Sequence, residues 1–155
     1  MARSDKKKPK NAFEPGRKVA QERENPESIM SMNPSWSFSA YDKSGRWAFS
    51  KERLHDMFWD EILPKLTLFE KMTWGDILIA SKKQNHTVEV SGLNKVAQDR
   101  LSELGIFRDE LVSLRLNGTL RVYGYLSLAT LVILWVDDDH GDNQTCVYRS
   151  KLKYT

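Results

Sequence analysis

The sequence is short of the features that announce most enzyme classes. It holds one cysteine, Cys146, in 155 residues. An internal disulfide and a cysteine-rich zinc site are therefore excluded. No C-x-x-C, H-E-x-x-H, G-x-S-x-G, P-loop or dinucleotide fingerprint occurs, and the three histidines, His55, His86 and His140, are far apart. Gly92, Gly105, Gly118, Gly124 and Gly141 stand singly, as turn or kink residues do. The longest nearly apolar stretch, Tyr123 to Val136, falls short of the roughly 20 residues that span a bilayer. The basic start, MARSDKKKPK, leads into no apolar run, so it does not read as a secretory signal, and a cytoplasmic location with no membrane partner is expected.

What is present is a chain 40 % hydrophobic and 29 % charged, enough for one sizeable core. The net charge of +3 is unevenly spread. Residues 1–35 carry eight Lys/Arg against five Asp/Glu; residues 36–155 are balanced. Arg3, Lys6, Lys7, Lys8 and Lys10 cluster, and Pro9, Pro15, Pro26 and Pro34 interrupt helices. Residues 1–35 thus read as a disordered basic tail: a solvated leader, a localisation signal, or a weak attractor of phosphates. Residues 36–155 read as a single domain.

Within that domain WSFSAYD alternates apolar and polar, as a half-buried strand does. Trp47 and Phe49 resume the alternation after a turn at Asp42–Gly45, which suggests a hairpin. Ser50 precedes a helical pattern in which Leu54, Met57, Phe58, Glu61, Ile62 and Lys65 share a face; Pro64 is expected to end or kink it. Thr73 reads as a further cap, with Trp74, Ile77 and Leu78 packing inward. Lys82–Asn85 are loop-like and His86–Val90 a short strand. Asn94 to Leu104 reads as a helix whose Leu93, Val96, Ala97, Arg100, Leu101 and Leu104 share a face, closed by Gly105. Leu111–Leu116, Leu120–Tyr125 and Thr130–Val136 form an antiparallel meander with Asn117-Gly118 as its first turn, and Thr145–Arg149 is a candidate fourth strand. The fold class is α+β, N-terminal helices packed on a C-terminal three- to four-stranded antiparallel meander.

Three constellations carry possible chemistry. His140 among Asp137, Asp138, Asp139 and Asp142 has the ligand types for a divalent ion but no calcium-loop spacing; a solvated loop reads equally well, and no metal or other cofactor is assigned. Cys146 beside Val147 suits a small core residue. The third is cationic. Arg115 and Arg121 flank the Asn117-Gly118 turn and can stand opposite each other, with Tyr123 on the same face. Arg149, Lys151 and Lys153 repeat a period of two before Tyr154. Joined on one solvent-facing sheet side, these make a basic patch with tyrosine rings, suited to phosphate contact and base stacking. Such a patch can also cleave RNA without a metal, arginine stabilising the phosphorane while His or Tyr moves protons. Equally, the arginines can be ordinary partners of surface carboxylates. Of the five tryptophans, Trp59, Trp74 and Trp135 sit in core patterns, whereas Trp36 or Trp47 is the candidate for an exposed anchor.

The pattern L-x-S-L-R-L-N-G-x-x-R-V-Y-G-Y, then L-x-I-L-W-V-D-D-D-H, is similar to a bacterial protein family with R-V-W-G and L-W-W-D-P-x-H in these places and a C-terminal K-K-x-T. The WSFS opening and the M-T-W-x-x-I segment, here Met72, Thr73, Trp74 and Ile77, belong to the same resemblance, which covers residues 36–155. This chain has Tyr123 for the first Trp, Val136 and Asp138 for the later Trp and Pro, and Tyr154 where the family has His. More distantly, helices followed by a meander resemble the RelE/ParE-type toxins of toxin–antitoxin modules. That resemblance implies a metal-independent endoribonuclease with Arg115, Arg121, His140 and Tyr154 as catalytic residues. It implies RNA binding by Tyr123, Arg149, Lys151 and Lys153, and RNA, the ribosome or an antitoxin as partner. The alternative is a non-enzymatic binding or regulatory protein.

Overall fold

The computed structural model describes residues 26–139 and 146–148. Its centre is a five-stranded sheet of order β1-β5-β4-β3-β2. The strands are β1 (Ser35–Ser37), β2 (His86–Glu89), β3 (Glu110–Asn117), β4 (Leu120–Ser127) and β5 (Thr130–Asp137). The α-helices are α1 (Pro26–Met30), α2 (Lys51–Leu54), α3 (Leu63–Phe69) and α4 (Lys95–Glu103). The fold is α+β, and β3, β4 and β5 form the expected antiparallel meander. The sheet as a whole is mixed, however. β2 adds antiparallel to β3, and β1 adds parallel to β5. A parallel partner at the far end of the sequence leaves no local trace in either strand.

The WSFSAYD hairpin does not form. Only Ser35–Ser37 are strand, and the chain then runs on along β5 as a loop. The loop donates Asp42 N–H to Leu134 O at 3.0 Å and accepts Val136 N–H on Trp47 O at 3.0 Å. Alternation in this stretch therefore reflects a loop laid along a strand edge rather than a second strand. Residues 26–35, assigned to the tail by composition, form α1 and the start of β1, and Ile29 and Met30 pack on the core. Residues 1–25, with the lysine cluster, lie outside the described residues.

Two apolar clusters sandwich the sheet. On one side Leu54, Ile62, Leu66, Phe69, Trp74 and Ile77 meet Val112, Leu114, Leu116, Val122, Ile133 and Val136. On the other, Trp47, Leu93, Ala97, Leu101 and Val147 meet Leu111, Tyr123 and Trp135. The caps read from the sequence are present. Ser50 Oγ accepts from Arg53 N–H, and Thr73 and Asp76 cap each other reciprocally; a further cap, not read from the sequence, is Asn94, whose Oδ1 accepts from Val96 N–H. Gly105 ends α4 at φ 71°.

Pro64 does not end its helix. A π-helical turn over Phe58–Ile62, closed by Leu63 N–H to Phe58 O, widens the backbone just before the proline, and α3 continues from Leu63. A second π-helical turn spans Asp76–Ala80. The Asn117-Gly118 hairpin forms, but neither residue takes positive φ; a register shift between Arg115 and Asn117 closes the turn instead. Val96, placed on the buried face of α4 by its spacing, is exposed. In place of a fourth meander strand, the described residues 146–148 make a single bridge, Tyr148 to Leu93.

Candidate functional site

The hairpin of β3 and β4 sets Arg115 directly opposite Arg121, and Ser113 opposite Tyr123. Alternation places Arg115, Arg121 and Tyr123 on one sheet face, as the spacing predicts. That face is not solvent-facing at these positions. It lies under Trp47, α4 and the returning segment 146–148, and Tyr123 is 0 % exposed. A ring so enclosed has no face free for base stacking, so the expected RNA-binding role of Tyr123 is corrected to a core role. Burial pushes the Tyr123 phenol well above its ordinary pKa, which unfits it for moving protons near neutrality. Its hydroxyl stands beside Ser113, whose side chain works against that rise.

Arg121 is also buried, at 8 % exposure. Its Nη1 donates to the carbonyls of Asn117, Gly118 and Leu120 at 3.1, 2.8 and 3.1 Å. The guanidinium thus closes its own hairpin. Burial and the neighbouring Arg115 charge lower its pKa; Asp137, its cross-strand neighbour on β5, works the other way. Arg115 is half-buried and belongs to none of the ion pairs among the described residues. Its backbone N–H is fixed by Asn85, the residue just before β2, whose Oδ1 accepts it at 2.8 Å. His140, Arg149, Lys151, Lys153 and Tyr154 lie outside the described residues; of the expected site residues that are described, the sheet brings together Arg115, Arg121 and Tyr123.

The acidic connection does not begin as a solvated loop. Asp137 is 0 % exposed and accepts N–H groups from Val147 at 2.8 Å and Asp139 at 2.9 Å. Burial raises its pKa against these two bonds. The carboxylate of Asp137 is therefore taken up in pinning the return of the chain, which argues for structure over metal ligation. Cys146 is a buried core thiol that donates to Tyr148 O.

Two polar groupings had no sequence signal. Asp42 is 1 % exposed, and its carboxylate receives Arg100 Nε at 2.9 Å, Arg100 Nη2 at 2.7 Å and Trp135 Nε1 at 3.0 Å. Burial works against its charge, but the Arg100, Trp135 and Ser44 hydrogen bonds outweigh that and hold the pKa below the ordinary carboxylate value. In a D-K-S-G turn such an aspartate looks like any surface Asx turn. Arg53 likewise ties Ala48 O, Val136 O and Asp138 together. In each network the arginine meets a carboxylate and at least one backbone carbonyl.

The aromatics redistribute too. Trp47, Trp74 and Trp135 are buried and Trp36 packs against Phe69 and Trp74. The exposed tryptophan is Trp59, at 66 %, with Leu63 one turn on also exposed. Phe107, just past α4, is 84 % exposed. A groove of about 420 Å³ opens beside it, lined by Thr87, Arg108, Glu110, Val112, Tyr125 and Leu126 among others. No described helix is long and apolar enough to cross a membrane. No protein-family model, curated protein or solved structure matches the chain.

Proposed function

We propose that the chain is a small non-enzymatic binding protein. The observation that carries this reading is the commitment of Arg121 to three backbone carbonyls of its own hairpin. A metal-independent nuclease needs a cation free to meet the phosphorane in the transition state. A guanidinium sealed at 8 % exposure and spent on ground-state structure is poorly placed for that. Tyr123, buried and raised in pKa, is no substitute proton carrier. Against this, Trp59 and Phe107 present large aromatic surface to solvent, the kind of group that anchors an interface once desolvated.

One observation favours a second reading, an RNA-directed protein related in mode to the toxin superfamily. Arg115 stands opposite Arg121, half-buried and in no ion pair among the described residues, so a phosphate is a natural counter-charge. In that reading Arg149, Lys151 and Lys153 add phosphate contacts, His140 and Tyr154 handle protons, and the partners are RNA, the ribosome or an antitoxin.

The test is incubation of a generic RNA with the wild type and with Arg115→Ala, with and without ribosomes. Intact RNA throughout is the expected result. Cleavage by the wild type that disappears in Arg115→Ala overturns the binding-protein reading in favour of the nuclease.

A further inference from the structure

We propose that the outer edge of β2 is a docking site for an extended peptide bearing lysine or arginine, which joins the sheet as an additional strand. This rests on the reading of the chain as a binding protein and names the chemistry of its partner.

The backbone comes first. β2 is the last strand in the sheet order. Val90 N–H donates to Asp109 O at 2.8 Å, and the antiparallel register pairs Val88 with Leu111 and His86 with Ser113. Hydrogen-bonded and non-hydrogen-bonded pairs alternate along such a ladder. The N–H and C=O groups of Thr87 and Glu89 therefore point away from β3. Both residues are exposed, and no backbone hydrogen bond reaches either outward side among the described residues. Unpaired strand edges of this kind accept a further strand.

Charge selects the occupant. Glu89 faces Glu110 directly across the ladder, at a non-hydrogen-bonded position where side chains approach most closely. Asp109 adjoins them. All three are exposed, and none belongs to an ion pair among the described residues. Like charges directly opposite destabilise a strand pair. A cation on an added strand relieves that repulsion. The nearby Arg108 does not, because it lies over the Tyr125 ring, 4.1 Å from its centroid. The same acids repel an RNA, and they repel a second copy that brings its own β2 edge. On the opposite sheet face the edge carries Val88 beside Leu111, which suits the apolar residues that alternate with the cations of an incoming strand.

The probe is a fluorescein-labelled peptide of alternating lysine and valine, titrated by anisotropy against the full chain. Saturable binding is expected. Glu89→Lys with Glu110→Lys should weaken it at least about 10-fold, by reversing the charge complementarity. Thr87→Pro keeps every charge and removes an N–H that the β2–β3 ladder does not use, so the fold is retained while the edge is blocked. It should weaken binding about 10-fold as well. In the wild type, bound peptide should slow hydrogen exchange at the Thr87 and Glu89 amides, a readout independent of any variant. No saturable binding, equal binding to Thr87→Pro, or unchanged exchange at those amides overturns the proposal. A dimer that Thr87→Pro converts to monomer assigns the edge to a second copy and overturns it too. Failure here with RNA left intact removes the edge site alone. RNA cleavage dependent on Arg115 removes the reading beneath it.

Discussion

The two faces of the sheet are buried by different means. Under the N-terminal helices the contact is mainly apolar, with Ile62, Trp74, Ile77, Leu114, Val122 and Ile133 all 0 % exposed. Under α4 and the returning chain the buried set includes Asp42, Arg121, Tyr123 and Asp137. The first face is held by area removed from water, which is tolerant of detail. The second depends on each polar group finding its partner, because an unpaired buried charge costs far more than a lost contact. Polar residues on a strand face therefore do not mark it as solvent-facing; here they mark where the covering segments are tied down.

Substitutions can break or sharpen that contrast. The largest effect is expected from Asp42→Ala, which leaves Arg100 with only Glu103 and Ser44 and frees the buried Trp135 Nε1; about 3–4 kcal/mol should be lost from the urea unfolding free energy. A loss below about 1 kcal/mol would place the network at the surface in all but name. Gly124→Ala comes next. A Cβ there would overlap the Val132 carbonyl oxygen at the point where Leu134 is inserted into the β4–β5 register, and about 3 kcal/mol should be lost. Arg121→Met keeps the bulk but abandons three carbonyls, for about 1–2 kcal/mol; a surface arginine would give less than about 0.5.

The pH response separates the two carboxylates within the polar face. Asp42 has a lowered pKa, so its stabilisation is present above the ordinary carboxylate range and lost as pH falls through its folded value. Asp137 has a raised pKa, so the fold favours its protonated form, and stability declines as pH rises from the ordinary value through the raised one. Unfolding midpoints should thus rise less steeply with pH in Asp42→Asn below the ordinary carboxylate value, and more steeply in Asp137→Asn just above it, than in the wild type. The smallest effect belongs to Trp59→Ser, within about 0.5 kcal/mol of wild type by the same measurement, because that ring is mostly outside the fold.

Local signals in the sequence carried far. Ser50 and Thr73 cap where a short polar side chain precedes an apolar period, and Gly105 closes its helix, because these devices act within a few residues. The meander and the pairing of Arg115 with Arg121 follow from alternation around Asn117-Gly118. What lay beyond reach was coverage. Period two says that Tyr123 and Arg121 share a face, but the segments that bury them, α4 and 146–148, are set by tertiary packing. The same limit hid Trp59: its helical pattern is apolar around more of the circumference than one sheet can cover, so one side is left to solvent. The widened turn before Pro64 has no signal of its own, only the proline it accommodates.

The parallel pairing of Ser35–Ser37 with β5 has a consequence for the order of assembly. Ser35 and Thr130 share a hydroxyl contact at 2.6 Å across 95 positions of chain. The leading strand emerges from the ribosome early yet has nothing to pair with until the last described strand has followed it. Closure of the domain therefore waits for β5, and a nascent chain halted before residue 130 exposes the Trp36 side of its first strand to whatever chaperone or neighbour is at hand.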